Sequence, residues 1–131
     1  MSDSKRRDLG LAKFNEVYAG DLPVPQAGQL AFFDVMLEQL FGEIWTRPEL
    51  SQRDRRLVTM GVIAALGERD TFCIQVRAAI KNGELTPTQV REMLIHLAQY
   101  AGYPRAAGLI GGVETVLAEF SQAKKPQKEE E

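Results

Sequence analysis

The sequence predicts a small all-α domain of about six helices. Three observations carry that expectation. Apolar residues recur at helical spacing in each long segment. Gly, Pro and Asn-Gly breaks fall between those segments. No stretch shows the alternation of a strand.

Residues 5–19 carry Leu9, Leu11, Phe14, Val17 and Tyr18 and read as a short amphipathic helix. Gly20, Pro23 and Pro25 end it. Residues 26–41 are richly apolar, with Leu30, Phe32, Phe33, Val35, Met36, Leu37, Leu40 and Phe41. Apolar residues on most sides predict a helix buried on more than one side. Gly42 is its expected stop. Residues 43–50 read as a loop or broken turn, because Pro48 biases Arg47 away from helical angles.

Ser51 is the expected cap of a third helix, with Asp54 answering it. That helix runs through Leu57, Val58, Met60, Val62, Ile63 and Leu66 to Gly67, and its apolar circumference predicts a central position. Arg53, Arg55 and Arg56 crowd its first turns, against the helix dipole. A fourth helix, about 68–81, shows Phe72, Val76, Ala79 and Ile80 on its apolar face and ends at Asn82-Gly83. Thr86, Pro87 and Gln89 form a capping box for the fifth, whose stripe is Val90, Met93, Leu94, Leu97, Ala98 and Ala101. Gly102 stops it. Tyr103-Pro104 opens the last helix, 105–120, where Gly108, Gly111 and Gly112 predict tight packing. Residues 1–123 are expected as one domain and 124–131 as a charged, disordered tail.

The chain has 131 residues and 44% hydrophobic content, enough for one small core. Its net charge of −2 gives no footprint for nucleic acid or an anionic membrane. One cysteine, Cys73, rules out an internal disulfide. The apolar run at 61–66 is far too short to span a bilayer, and the N-terminus lacks a signal-peptide core. A cytoplasmic protein is the simplest reading.

Catalytic vocabulary is sparse. There is one histidine, no Gly-rich phosphate loop and no metal-ligand spacing, so no metal is expected. His96 falls on the flank of the fifth helix, on the side of Tyr100. It reads as a general acid or base, because an imidazole exchanges protons near neutral pH. The bland alternative is a flank histidine bonded to a neighbour. Gln75 can orient a carbonyl or a water but cannot exchange protons, and the bland alternative is an ordinary polar residue. Arg47 and the 53–56 cluster can hold a carboxylate through bidentate hydrogen bonds, with at most one arginine in that role. Glu43 and Trp45 lie in the irregular segment where functional residues concentrate, although Trp45 also suits a packing anchor. Cys73 reads as structural.

Four stretches align with one family. Gly42-Glu43-Ile44-Trp45-Thr46-Arg47-Pro48-Glu49-Leu50-Ser51 resembles the G-[DE]-x-W-x-R-P-x-L-[ST] signature of carboxymuconolactone decarboxylases. Arg55-Arg56-Leu57-Val58-Thr59 with Ala64-Ala65-Leu66-Gly67 resembles the helix that follows it. Arg77-Ala78-Ala79-Ile80-Lys81-Asn82-Gly83 is similar to the R-x-A-L-x-N-G helix end, and Tyr100-Ala101-Gly102-Tyr103-Pro104-Arg105-Ala106 to the Y-x-G-x-P-x-A element. The similarity covers residues 9–119 in order.

The resemblance implies an alkylhydroperoxidase D-like fold, assembled as a homotrimer or homohexamer. It implies cofactor-free decarboxylation of a small carboxylated lactone or related oxo acid, as in aromatic compound degradation. His96 and Gln75 are then the expected catalytic positions, with Glu43, Trp45, Arg47, Arg56, Thr71 and Tyr100 around the substrate. Two departures stand out. The family's usual histidine is Gln75 here, and its usual glutamate is Thr71. Glu68 and Thr71 occupy the positions of the two cysteines of the peroxidase branch, which argues against that activity. His96 is the remaining proton donor. The alternative is a diverged member that binds a small ligand or serves as an oligomeric interaction protein.

Overall fold

The computed structural model describes residues 3–124. Every regular element in that span is helical. The order is α1 (Asp3–Val17), α2 (Ala31–Val35) continuing into a π-helical stretch (Met36–Ile44), α3 (Gln52–Leu66), α4 (Arg69–Lys81), α5 (Pro87–Ala101) and α6 (Tyr103–Lys124). The described residues divide into two compact units, the first ending at Val58 and the second beginning at Thr59. Residues 125–131, most of the expected charged tail, lie outside the described residues.

The first unit is built on the packing of α1 against the π-helical stretch. Two glycines bring their backbones together. A Cβ on Gly10 would lie 1.7 Å from the Leu37 carbonyl oxygen, and one on Gly42 would lie 2.8 Å from that of Arg6. Gly42 therefore does not stop the helix, as the sequence reading expects. It sits inside the π-helical stretch and marks the crossing. The wider turn shows in the Trp45 N–H, which donates to the Leu40 carbonyl five residues back at 2.8 Å.

Phe14, Val17, Leu37, Phe41 and Trp45 form this unit's core. Phe14 meets Phe41 edge-on at 5.1 Å, and Trp45 stacks on Phe41 at 5.9 Å with an 11° interplanar angle. Leu37 and Phe41 are buried, whereas Phe32, Val35 and Leu40 on the same helix are exposed. Burial of this helix is one-sided rather than all-round.

The second helix also starts later than expected, at Ala31. Asp34 explains the delay. Its carboxylate accepts the Gly28 N–H at 3.0 Å and the Arg7 Nε–H at 2.8 Å. Arg7 also donates to the Pro25 carbonyl at 2.9 Å. These bonds hold residues 25–28 as a turn fastened to α1. The Arg7 hydrogen bond holds the Asp34 carboxyl below its ordinary range, helped by Gly28 and opposed by burial.

In the second unit, α6 packs against both α4 and α5. Its buried row is Ala106, Leu109, Val113, Val116 and Leu117. Phe72, Val76 and Ala79 face inward from α4, and Val90, Leu94 and Ala98 from α5. Two ion pairs tie the helices: Arg77–Glu119 at 3.2 Å and Arg91–Glu114 at 2.8 Å. The latter raises the Arg91 pKa and lowers that of Glu114.

Element ends follow local chemistry. Ser51 Oγ accepts the Asp54 N–H at 3.0 Å. Thr86 and Gln89 form the reciprocal capping box, at 3.1 and 3.0 Å. Gly83 and Gly102 leave α4 and α5 at φ of +71° and +102°. Two expectations fail. α3 buries Arg56, Met60, Ile63 and Ala64 but exposes Val58, Val62 and Leu66, so it is amphipathic rather than central. Of the α6 glycines, only Gly112 meets a close neighbour; Gly108 and Gly111 have open space where a Cβ would go.

Candidate active site

His96, Gln99 and Tyr100 are exposed together on α5. His96 and Tyr100 stand one turn apart, with ring centroids 5.1 Å apart and tilted by 41°. Both are exposed, Tyr100 by 82%. Gln99 lies beside them and donates to the Tyr103 hydroxyl at 2.7 Å and to the Ile95 carbonyl at 3.1 Å. Residues 96, 99 and 100 follow the spacing that lines up one face of α5, and Tyr103 opens α6 beyond the Gly102 break. Gln99 was not singled out from the sequence, though its spacing from His96 was a readable signal; the Tyr103 contact crosses the Gly102 break, which that spacing does not signal.

α4 places the two departing positions differently. Gln75 is buried, at 2% exposure, and Thr71 is exposed. A buried glutamine needs hydrogen-bond partners, and Gln75 is held in such an interaction. Its amide carries no titratable proton.

The first unit holds the other four expected residues. Trp45 is 7% exposed and stacked on Phe41, which makes it a packing anchor. Glu43 is exposed near the end of the π-helical stretch, where Thr46 Oγ1 donates to its backbone carbonyl at 3.1 Å. Arg47 is exposed; its guanidinium lies 3.9 Å from Glu49, and its carbonyl accepts from Arg55 at 3.0 Å. Arg56 is wholly buried. It donates to the Val17 carbonyl at the end of α1 and lies 6.0 Å over the Tyr18 ring. Of the two arginines expected at a substrate, Arg47 is accessible and Arg56 is part of the core.

Residues 31–113 match the model of the carboxymuconolactone decarboxylase family. The chain belongs to the carboxymuconolactone decarboxylase family. All eight expected site residues fall inside the matched span. Two relatives agree. A 4-carboxymuconolactone decarboxylase of Acinetobacter baylyi is 35% identical over 88 residues, 67% of this chain and 63% of its own. A nitrosuccinic acid decarboxylase of Metarhizium robertsii is 33% identical over 100 residues, 76% of this chain and 66% of its own. The match thus spans just under two thirds of each relative's length.

Among the described residues of this family member, no three His, Cys, Asp or Glu side chains are placed to hold a metal ion. Cys73 is half-buried, and burial pushes its thiol pKa up against the opposing pull of Arg69 and Arg77. No helix of the described residues is long and apolar enough to cross a membrane.

Proposed function

We propose that the protein is a decarboxylase of a small carboxylic acid, with His96 as proton donor. The observation that carries this reading is the exposed His96–Tyr100 pair within a chain of this family. The two relatives are named for 4-carboxymuconolactone and nitrosuccinic acid. Both are acids whose leaving carboxylate is attached near an electron-withdrawing group. Loss of carbon dioxide breaks the bond to the carboxylate and leaves its electron pair in that acceptor system. A proton delivered to carbon completes the product. His96 supplies it, and Tyr100 steadies the imidazole.

The test is to supply purified protein with each of the two acids and measure carbon dioxide. The expected result is release from at least one, with His96→Ala lowering kcat about a hundredfold or more. Release from neither acid, or an unaffected His96→Ala variant, would refute the assignment.

The buried Gln75 favours a second reading, a diverged member that binds a ligand without turning it over. Retained binding with no carbon dioxide release would support it. A homotrimer or homohexamer goes with either reading, supported by the exposed row Val58, Val62 and Leu66. Light scattering tests it, and a monomer would count against it. A cytoplasmic location and cofactor-free chemistry complete the proposal.

A further inference from the structure

We infer that the groove between α4 and α6 is a second ligand site, for a small dicarboxylate, on the face of α4 turned away from Thr71 and Gln75. The groove has a volume of about 480 Å3. Its α4 wall includes Arg69, Asp70, Cys73 and Arg77, and its α6 wall includes Gly111 and Gly112. Residues 69, 73 and 77 follow one another at four-residue steps and share one helix face. Residues 71 and 75 lie about 180° around the same helix. A ligand between α4 and α6 therefore occupies a different surface from one beside the positions where the family's usual acid-base pair is replaced.

The chemistry of the walls selects the ligand. Two guanidinium groups border the groove, and apolar Ile74 and Val116 lie with them. Their Cα atoms are about 12 Å apart along the axis. An extended diacid of about six carbons separates its two carboxylates enough for each to meet a different guanidinium. Glycine at 111 and 112 keeps the facing wall low. A Cβ on Gly112 would lie 2.8 Å from Cys73 Sγ and 3.1 Å from Arg69 Cδ, so the close approach requires glycine there.

The arginines are only partly neutralised by their carboxylates. Asp70 stands 3.7 Å from Arg69, with both side chains largely exposed, a pair of little worth in water. Arg77 engages Glu119 through one terminal nitrogen, at 3.2 and 3.3 Å. A guanidinium has five N–H donors, so this contact leaves donors for a second carboxylate. At the Cys73 sulfur, midway between them, Arg69 and Arg77 each act more strongly than Asp70.

The experiment titrates the full chain with adipate by calorimetry at low ionic strength, with 1,6-hexanediol as the uncharged comparator. Adipate should bind once per chain and hexanediol should not. Arg69→Gln and Arg77→Gln should each weaken adipate about tenfold. His96→Ala should bind it as the wild type does, and Arg69→Gln and Arg77→Gln should leave carbon dioxide release unchanged, which separates this site from the decarboxylase reading. In the wild type, adipate should also slow alkylation of Cys73 by iodoacetamide. The inference is overturned by absent adipate binding, by equal affinity in both arginine variants, by loss of binding in His96→Ala, or by Cys73 alkylation indifferent to saturating adipate.

Discussion

Adding one methyl group at Gly10 should destabilise the first unit more than its size suggests. Real Cβ atoms essentially never come within 3.0 Å of a neighbour, and at Gly10 the new atom would lie 1.7 Å from the Leu37 carbonyl oxygen. The shortfall is about 1.3 Å. The obstacle is backbone, so no side chain can swing aside. α1 and the π-helical stretch must separate, and a gap of about 0.5–1 Å already forfeits a quarter to a half of each dispersion contact across it. Overpacking of this kind costs up to about 3 kcal/mol. Alanine returns about 1 kcal/mol of helix propensity. The net expectation for Gly10→Ala is a loss of about 2 kcal/mol, or a Tm lower by about 8 °C at roughly 4 °C per kcal/mol. Trp45, the single tryptophan, lies in the affected core and reports unfolding by fluorescence. Protein concentration is held fixed, because any assembly shifts Tm by mass action. Gly108→Ala is the control. Nothing lies within 4 Å of its new Cβ, so it should gain up to about 1 kcal/mol. A Gly10→Ala protein as stable as the wild type would refute the close-approach argument.

Other perturbations have equally definite outcomes. Thr86→Ala removes one half of the capping box and should lower stability by about 1 kcal/mol in urea denaturation, with Thr86→Ser close to the wild type. Asp34 has a lowered folded-state pKa, so its contribution is present above the unfolded value of about 4 and is lost as pH falls through the folded value. Asp34→Asn should therefore flatten the acid limb of a stability-against-pH curve, and an unchanged limb would show that the Arg7 contact contributes nothing. Arg56→Ala should cost about 3 kcal/mol, because it empties a buried volume and removes the bond to the Val17 carbonyl. A substrate arginine would instead leave the urea midpoint unchanged and raise KM.

Much of the helical plan was legible because helix ends carry local chemical signals. Thr86, Pro87 and Gln89 announce the start of α5 without reference to the rest of the chain, and Ser51 does the same for α3. The π-helical stretch had no such signal. Its register depends on α1, whose Gly10 lies some thirty residues away in sequence, and a lone Gly42 reads equally well as a stop or as a crossing point. The delayed start of α2 depends on an ion pair between Arg7 and Asp34, again a distant partner.

The site was legible in part. The four-residue spacing of His96 and Tyr100 predicts their contact. The burial of Arg56 and Gln75 follows from tertiary packing, which an apolar-periodicity argument assigns to side chains that are themselves apolar. Which apolar faces stay uncovered was equally hidden, since Val58, Val62 and Leu66 look the same on paper as Met60 and Ile63.

The π-helical stretch also governs how the chain tolerates changes in length. A π turn holds one residue more than an α turn, so removing a single residue between 36 and 44 lets the segment relax to ordinary α-helix. That relaxation keeps the residues after the deletion close to their original phase; a second deletion, with no wide turn left to absorb it, would turn them by about 100° relative to those before it. Trp45 would leave its stack on Phe41, and the Thr46–Arg47 turn would point elsewhere. A loop absorbs a lost residue with little consequence. In this segment the number of residues itself encodes the direction in which the signature arginine is presented.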